Sequence, residues 1–289
     1  MQIAYFPGCT LHAKATHLDR SARAAAELLD IKFVELSKWN CCGASFTPPG
    51  GNLMTLASPV RALAQASREG GKLITLCAIC YNVLKRTNYL VTNDPESQKK
   101  LAMFTDEDYS GQTEVVHLLD LMRDQIGWEK LKDRLVTSLK GLKVAPYYGC
   151  YLLRPKKEIG LDDPDQPQIL EQFLTSLGCE VVDFPYKTEC CGSFVAVSAE
   201  EAATEASHRI VDAAVRRGAD AIVGTCPLCQ FNLDNRQSEM ASRYKGFKRV
   251  PVFYFTQLLA LGLGIEGAAL GLDQHQVDPR PLLTGKGLL

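Results

Sequence analysis

The chain has 289 residues, 46% of them apolar and 22% charged, which is typical of a globular protein and excludes a disordered or fibrous one. Its formal net charge of −1 gives no electrostatic footprint for nucleic acid or for an anionic membrane surface. The N-terminus lacks the basic and apolar regions of a signal peptide, and no apolar run is long enough to span a bilayer. We therefore expect a cytoplasmic protein with no membrane insertion and no nucleic-acid partner.

Strand and helix patterns alternate along the chain. The first half predicts strand 2–6, helix 14–29, strand 31–36, helix 55–69, strand 72–76 and a helix that begins near Cys80. The second half predicts strand 143–148, helix 166–177, strand 179–184, helix 199–217 and strand 220–224. This alternation is typical of α/β folds with parallel sheets.

Two segments fall outside this alternation. Residues 93–113 are polar and are expected to form an exposed excursion, whereas residues 264–289 contain Gly and Pro and are expected to form an irregular arm. The expected organisation is a first cysteine-rich domain at 1–140, a second at 141–263 and a C-terminal arm at 264–289.

Cysteine is the residue type that stands out. The chain has 11 cysteines, and in a reducing compartment that density indicates metal binding or catalysis in preference to disulfide bonds. Ten of them form two copies of the pattern C…CC…CxxC, with 34 residues between the CC pair and the CxxC in both copies. The first cysteine set is Cys9, Cys41, Cys42, Cys77 and Cys80, and the second cysteine set is Cys150, Cys190, Cys191, Cys226 and Cys229.

The sequence around the cysteines repeats as well. The matching pairs are YFPGCTLHAK (5–14) with PYYGCYLLRP (146–155), IKFVELSKWNCCGASF (31–46) with CEVVDFPYKTECCGSF (179–194), GGKLITLCAICYNVL (70–84) with GADAIVGTCPLCQFNL (218–233) and, more loosely, VVHLLDLMRDQIG (115–127) with VFYFTQLLALGLG (252–264). The repeat predicts two pseudo-symmetric halves built from parallel βα units.

Each motif cysteine follows a predicted strand. Ligands of open parallel sheets bind beyond the carboxyl ends of the strands, so each cysteine set is expected to converge at one sheet edge. Adjacent cysteines on an extended strand point to opposite faces, so both reach one object only if the chain turns sharply. Gly43 and Gly192 follow the CC pairs and permit such a turn, and Gly8 and Gly149 are expected to play the same part before the lone cysteines.

The number of thiols restricts what each set can hold. Five thiolates exceed the four ligands of a tetrahedral zinc ion, and a simple cubane iron–sulfur cluster also takes four. Soft thiolates select iron–sulfur, zinc or cuprous copper, and the surplus fifth ligand favours an unusual iron–sulfur assembly. Two zinc sites, or buried thiols without metal, are the alternative.

These residues resemble a known family. The two cysteine sets are similar to the paired cysteine-rich CCG domains of the B-type subunits of heterodisulfide reductase, and the likeness covers essentially the whole chain. The stretch LDQHQVDPRPLL (272–283) is also similar to the tail of that family. The resemblance implies that each set binds a noncubane 4Fe-4S cluster, in which two smaller iron–sulfur units share one iron. It further implies that the two clusters face a cavity where a disulfide is cleaved reductively.

The resemblance also implies partners. The chain is expected to belong to a multi-subunit complex in which electrons come from a ferredoxin-like subunit with cubane 4Fe-4S clusters and from a flavin-containing subunit. The substrate would be a disulfide such as the coenzyme M–coenzyme B heterodisulfide. Since the thiols of that family carry anionic groups, Arg154, Lys156 and Lys157 are candidate substrate clamps, and His275 in the tail is a candidate lining residue.

Two other functions fit the same motifs. CCG domains also occur in electron-relay subunits of quinone-linked succinate, lactate or glycolate oxidoreductases, and a zinc-dependent scaffold would have no redox role. The leading hypothesis is an oxidoreductase that acts on a sulfur group and that reduces or forms a mixed disulfide of two thiols. Cys179 lies outside both sets and is expected to be packed as a small hydrophobe.

Overall fold

Two parallel four-stranded sheets form the centre of the protein, in a computed structural model that describes residues 1–44, 46 and 51–289. The strands of the first sheet are β1 (Gln2–Tyr5), β2 (Lys32–Glu35), β3 (Lys72–Thr75) and β4 (Glu114–His117), in the order β2–β1–β3–β4. Those of the second are β5 (Lys143–Tyr147), β6 (Glu180–Val181), β7 (Ala221–Gly224) and β8 (Val252–Tyr254), in the order β6–β5–β7–β8. The shared order confirms the predicted α/β fold with two pseudo-symmetric halves. Within the repeat segment 31–46, Ser45 lies outside the described residues.

Helices cover the sheets. In the first half they are α1 (Cys9–Ala13), α2 (Thr16–Leu28), α3 (Ala57–Arg68), α4 (Ala78–Asn93), α5 (Pro95–Thr105), α6 (Leu118–Leu121) and α7 (Trp128–Asp133). In the second half they are α8 (Lys156–Ile159), α9 (Ile169–Ser176), α10 (Glu200–Arg216), α11 (Pro227–Asn235), α12 (Gln237–Arg243) and α13 (Phe255–Gly262), and the tail adds α14 (Arg280–Gly285). Because helices lie against both faces, the inner strands are apolar along their length, and all four residues of β7 are buried.

The two halves pack against each other through two helix contacts. In one contact α2 lies against α13, where the Ser21 and Thr256 hydroxyls are 2.7 Å apart. In the other α7 lies against α9, where the Trp128 indole N–H donates to Gln172 Oε1 at 3.1 Å. Between the two contacts the Phe255 ring packs within the buried core. We call this boundary the seam.

The polar segment 93–113 is mostly exposed or half-buried, as expected, and it contains a helix that the sequence patterns did not predict. Residues Pro95–Thr105 form α5, whose N-cap Asp94 accepts hydrogen bonds from the backbone N–H groups of Glu96 and Ser97. Proline at the first helical position and an aspartate cap together stabilise a helix start. Leu101 is buried against the first half, so a narrow apolar face suffices to attach the helix.

The tail is tied to both halves. Its Gln274 side chain accepts a hydrogen bond from His17 Nδ1 at 2.8 Å in the first half. In the second half, the carboxylate of Asp234 accepts the backbone N–H of Gln276 at 2.7 Å and that of Val277 at 3.1 Å. The tail therefore bridges the seam through side-chain contacts, although its regular structure is limited to short helical turns and α14.

Replacing Asp234 with alanine tests this attachment. The variant leaves two backbone N–H groups without their acceptor, so we expect the free energy of unfolding at pH 7 to fall by about 1–3 kcal/mol. Burial raises the pKa of Asp234 to about 6, above the value of about 3.9 in an unfolded chain. Folding therefore favours the protonated carboxyl, and the stability of the wild type should increase as the pH falls from 7 to 5.

Urea unfolding of the wild type and the variant at both pH values measures these effects. Asp234→Ala should show a smaller gain in stability than the wild type between pH 7 and pH 5. Asp273→Ala removes an exposed carboxylate from the same tail and should change stability by less than about 0.5 kcal/mol. Equal losses in the two variants would show that the contact with Asp234 does not hold the tail.

Candidate metal-binding site at the seam

The first cysteine set is assembled from three segments that end at the carboxyl edge of the first sheet. Cys9 begins α1 after β1, the CC pair follows β2, and Cys77 and Cys80 lie at the start of α4 after β3. Cys9 Sγ lies 3.4 Å from Cys41 Sγ, and Cys42 Sγ lies 3.5 Å from Cys80 Sγ. Cys42 and, after it, Cys77 raise the pKa of Cys80, so Cys77 belongs to the same group of neighbouring thiols.

The second cysteine set repeats this arrangement at the edge of the second sheet. Cys191 Sγ lies 3.5 Å from Cys229 Sγ, the same separation as in the equivalent pair of the first set. Cys190 raises the pKa of Cys150, and Cys191 and then Cys226 raise the pKa of Cys229, so these thiols are also neighbours. All of these cysteines are free thiols, because the separations are well beyond the sulfur–sulfur bond length of a disulfide.

Backbone amides support the CC turns. In each half the glycine after the pair donates its N–H to the first cysteine of the pair at 3.4 Å, Gly43 to Cys41 and Gly192 to Cys190. A backbone N–H aimed at sulfur stabilises the thiolate form. The glycines have φ values of 86° and 80°, so the chain reverses there and both cysteines of each pair can face the same site.

Gly8 and Gly149 allow close approach of the backbone to sulfur. A Cβ atom at Gly8 would lie 2.7 Å from Cys80 Sγ, and one at Gly149 would lie 3.2 Å from Cys229 Sγ. Their φ values of 76° and 66° are also in the region that favours glycine. A larger residue at Gly8 would displace Cys80 Sγ, and one at Gly149 would displace Cys229 Sγ.

Within each cysteine set, neighbouring thiols have different pKa values. The hydrogen bond with Cys80 lowers the pKa of Cys42 to about 7, whereas the same bond raises the pKa of Cys80. In the second set the hydrogen bond with Cys150 lowers the pKa of Cys190 to about 2, and that bond raises the pKa of Cys150. Five thiolates crowded together repel one another, so a fully ionised set requires positive charge at its centre. A cationic metal centre supplies that charge.

The number of sulfur donors in each cysteine set exceeds the four ligands of a single tetrahedral zinc ion. Among residues 1–44, 46 and 51–289, no three His, Cys, Asp or Glu side chains are placed to share one metal ion. Buried polar atoms next to the thiols nevertheless have no partner within the described chain, including the hydroxyls of Thr75 and of Thr225, which precedes Cys226. Soft sulfur donors in this number suit an iron–sulfur assembly.

Several supporting residues carry no signal in the cysteine pattern. Asn82, two residues after Cys80, donates from Nδ2 to the carbonyls of Tyr151 and Arg154, each at 2.7 Å, and so links the first half to the loop after Cys150. In the second half Asn232 Nδ2 and Ser207 Oγ donate to the Cys191 carbonyl, at 3.1 and 2.9 Å. An asparagine two or three residues after the CxxC, present in both halves, is the one sequence feature that could have indicated Asn82 and Asn232.

The candidate substrate cations bind partners within the chain. Arg154 donates to the carbonyls of Thr188 and Pro164, and Lys156 pairs with Asp163 at 2.7 Å. Lys157 lies 5.7 Å from the centre of the Tyr89 ring. These contacts order the loop between Cys150 and α9, and none of them involves a thiol of either cysteine set.

His275 and Cys179 have local roles. His275 Nε2 is hydrogen-bonded to the Gln257 side chain, and burial lowers the pKa of His275 to about 3, so the ring is neutral at physiological pH. Cys179 is buried at the start of β6, and burial raises the pKa of its thiol to about 12. An inert packed thiol is consistent with its position outside both cysteine sets.

Comparison with known proteins identifies the domain type. The CCG cysteine-rich domain matches the chain twice, over residues 3–85 and 144–234. The chain belongs to the CCG family. Each match contains one complete cysteine set, so the CCG domain is present in duplicate.

Two relatives match this CCG protein over nearly its full length. The 8-methylmenaquinol:fumarate reductase membrane anchor subunit of Wolinella succinogenes is 34% identical over 282 residues, which are 97% of this chain and 99% of that protein. The B subunit of the ferredoxin/F420H2-dependent CoB-CoM heterodisulfide reductase of Methanosarcina acetivorans is 30% identical over 289 residues, which are 96% and 94% of the two chains. These matches confirm the resemblance to the B-type subunits of heterodisulfide reductase, and both relatives are subunits of oxidoreductases.

A solved structure shares the fold. The crystal structure of a hypothetical protein from Helicobacter pylori superposes with a TM-score of 0.72 at 16% identity and covers 95% of this chain. The CCG protein spans about half, 51%, of that longer chain. Within the described residues, no helix combines the length and the apolar character needed to cross a membrane.

Replacing Gly8 with alanine tests the close approach to Cys80. We expect the variant to lose metal from the first set only, because the new Cβ displaces a sulfur donor, and therefore to hold about half of the wild-type metal. Gly141→Ala is the matched control, since Gly141 has a φ of 84° but no atom within 4 Å of the added Cβ. Metal per chain is measured by mass spectrometry; full metal content in Gly8→Ala would rule out the steric constraint.

Proposed function

We propose that the chain is the catalytic iron–sulfur subunit of a heterodisulfide reductase-type complex. It would reduce, or in the reverse direction form, a mixed disulfide of two thiols by means of two noncubane 4Fe-4S clusters. All ten motif cysteines would be ligands, five to each cluster. The observation that supports this proposal most strongly is that both halves gather five thiols with the same internal pairing at equivalent sheet edges.

The stoichiometry of disulfide cleavage suits a duplicated site. Reduction of R–S–S–R′ to two thiols consumes two electrons and two protons, and each iron–sulfur cluster, when bound, supplies one-electron transfer. If each of the two equivalent thiol sets holds one cluster, the chain can hold both electrons at the same time. A protein with one cysteine set would have to repeat its reduction before the reaction could finish.

The chain itself supplies binding and electrostatics. Cys77 and Cys226 are the N-caps of α4 and α11, so the partial positive charge of each helix N-terminus faces a thiolate-rich site. Asn82 fixes the second-half loop after Cys150 against the first half, which holds the two sites in a constant relation. Burial of Cys42, Cys77 and Cys80, like that of their counterparts, limits access of water to the sulfur donors.

Electrons would come from partner subunits. We infer a ferredoxin-like subunit with cubane 4Fe-4S clusters and a flavin-containing subunit, as the family resemblance implies. The substrate would be a small-molecule disulfide such as the coenzyme M–coenzyme B heterodisulfide. A cavity of about 300 Å³ that is lined by Phe46, Arg86, Tyr89 and Glu158 lies next to α4 and α8.

A second function has a specific observation in its favour. The relative with 34% identity is named as a subunit of a menaquinol-linked fumarate reductase. By analogy, the two clusters of this chain would relay electrons between a quinone-reactive partner and a soluble one, without cleaving a disulfide themselves.

A pair of assays separates the two functions. With reduced methyl viologen as donor, the disulfide reductase should reduce a mixed disulfide to two thiols for each two electrons consumed. The relay should oxidise a menaquinol analogue only with its partner present and should leave the disulfide intact. Disulfide turnover by the isolated chain would exclude a pure relay, and its absence together with quinol-linked traffic would exclude the reductase.

Alanine at Cys42 or at Cys191 tests the ligand assignment. Each variant should retain about four of the expected eight iron atoms per chain, because the substitution disturbs one cluster and leaves the other half intact. Iron and acid-labile sulfide are measured after anaerobic purification. Cys179→Ala is the control and should retain the full content, whereas wild-type iron in Cys42→Ala or Cys191→Ala would contradict the assignment.

A further inference from the structure

One buried hydroxyl at the seam has no partner within the described part of the protein. Tyr254 ends β8, is fully buried, and its hydroxyl makes no hydrogen bond to any described residue. The hydroxyls of the other buried tyrosines in the described chain all have one, namely those of Tyr5, Tyr81, Tyr109, Tyr147 and Tyr148. A buried tyrosine hydroxyl usually finds a partner, because leaving it unpaired costs about 1–3 kcal/mol.

Thiols of both cysteine sets act on this hydroxyl electrostatically, although none of them is hydrogen-bonded to it. Burial, and after it the charges of Cys226, Cys77 and Cys229, raise the pKa of Tyr254, so its O–H stays protonated. Two of these thiols belong to the second cysteine set and one to the first. Tyr254 pairs in register with Gly224, two residues before Cys226, which places the ring at the strand end from which the second CxxC begins.

The equivalent position in the first half is fully bonded. The sequence repeat aligns Tyr254 with His117, which is also buried at the end of its strand. His117 Nε2 is 3.1 Å from the Leu76 carbonyl, and its Nδ1 accepts the backbone N–H of Leu119 at 3.3 Å. The first half therefore has no spare donor at this position, whereas the second half has one.

We propose that the Tyr254 hydroxyl donates a hydrogen bond to a sulfur of the redox centre held by the second cysteine set, and so raises the reduction potential of that centre. The inference rests on the proposed function, since it requires a sulfur-ligated centre at this place. Hydrogen bonds to the sulfurs of an iron–sulfur centre stabilise its reduced, more anionic state. Because His117 has no free donor, this hydrogen bond raises the potential of the second centre only.

His17 is the rival acceptor for the hydroxyl. Its ring centre lies 4.9 Å from that of Tyr254, its Nδ1 is bonded to Gln274, and its Nε2 is buried without a partner among the described residues. If a small rotation joined Tyr254 to His17, the hydroxyl would stabilise the fold and would leave the potential of the centre unchanged. The potential therefore decides between the two roles.

The test is a potentiometric titration of the full chain with both centres in place, followed by electron paramagnetic resonance. Tyr254→Phe should retain the wild-type iron content. The reduction potential of one centre should become more negative by about 59 mV, which corresponds to a tenfold change in its one-electron equilibrium. Tyr254→His introduces the residue of the equivalent position with an N–H donor and should recover at least half of the shift.

Tyr147→Phe is the matched control. Tyr147 is buried near Cys229 and Cys191, but its hydroxyl donates to the Glu189 carbonyl at 2.7 Å, and the aligned residue of the first half is Phe6. Loss of the Tyr147 hydroxyl should change the potential of either centre by less than a third of the change expected in Tyr254→Phe. Equal shifts in the two variants, or wild-type potentials in Tyr254→Phe, would overturn the inference while leaving the proposed function intact.

A measurement on the unmodified protein covers the case in which Tyr254→Phe fails to fold. Electron–nuclear double resonance of the reduced wild type should show, besides the coupling of the Gly192 N–H, a second proton coupling that disappears after exchange into D2O. Absence of this second coupling would overturn the inference. A wild-type chain that contains no iron would overturn the inference and the proposed function together.

Discussion

Mutual repulsion among five sulfur donors at each sheet edge governs how the two sites are built. Thiolates at 3.4 to 3.5 Å from one another are stable together only around positive charge. Two features of the fold reduce this repulsion. Helix N-termini lie at Cys77 and Cys226, and glycine N–H groups donate to Cys41 and Cys190. These dipoles are partial charges, so full ionisation of either cysteine set requires further positive charge, such as that of a metal centre.

Duplication gives the protein two such sites, and the contacts at the seam make them unequal. Asn82 of the first half reaches across to the loop after Cys150, whereas Asn232 bonds to the Cys191 carbonyl within its own half. Cys9 is exposed, while the equivalent Cys150 is half-buried. Tyr254 and its counterpart His117 also differ, because the Tyr254 hydroxyl has no partner among the described residues and both ring nitrogens of His117 are hydrogen-bonded. Under the proposed function, a chemistry that delivers two electrons in sequence would benefit from two centres of different potential, and these differences between the halves are where the repeat would provide them.

The sequence was sufficient to predict the α/β class, the repeat and the convergence of the cysteines, because strand ends, glycine turns and ligand spacing are local features. It failed for α5, whose polar composition hides a single buried apolar position at Leu101 behind an Asp94 cap and a proline at N1. The strand predicted at 179–184 shrinks to Glu180–Val181, because only its first residues pair with β5. The sequence could not predict contacts between distant segments, because nothing in the local sequence of either partner specifies the pairing. Examples are the contacts of Gln274 with His17 and of Asp234 with the tail.

A crystal structure of the anaerobically purified chain, phased at the iron absorption edge, would locate the metal in each half. Two separate multi-iron peaks are expected on either side of the seam, each contacted by all five sulfurs of its own half. Single zinc ions, or cystine bridges between the paired cysteines, at those positions would contradict the assignment of two iron–sulfur centres.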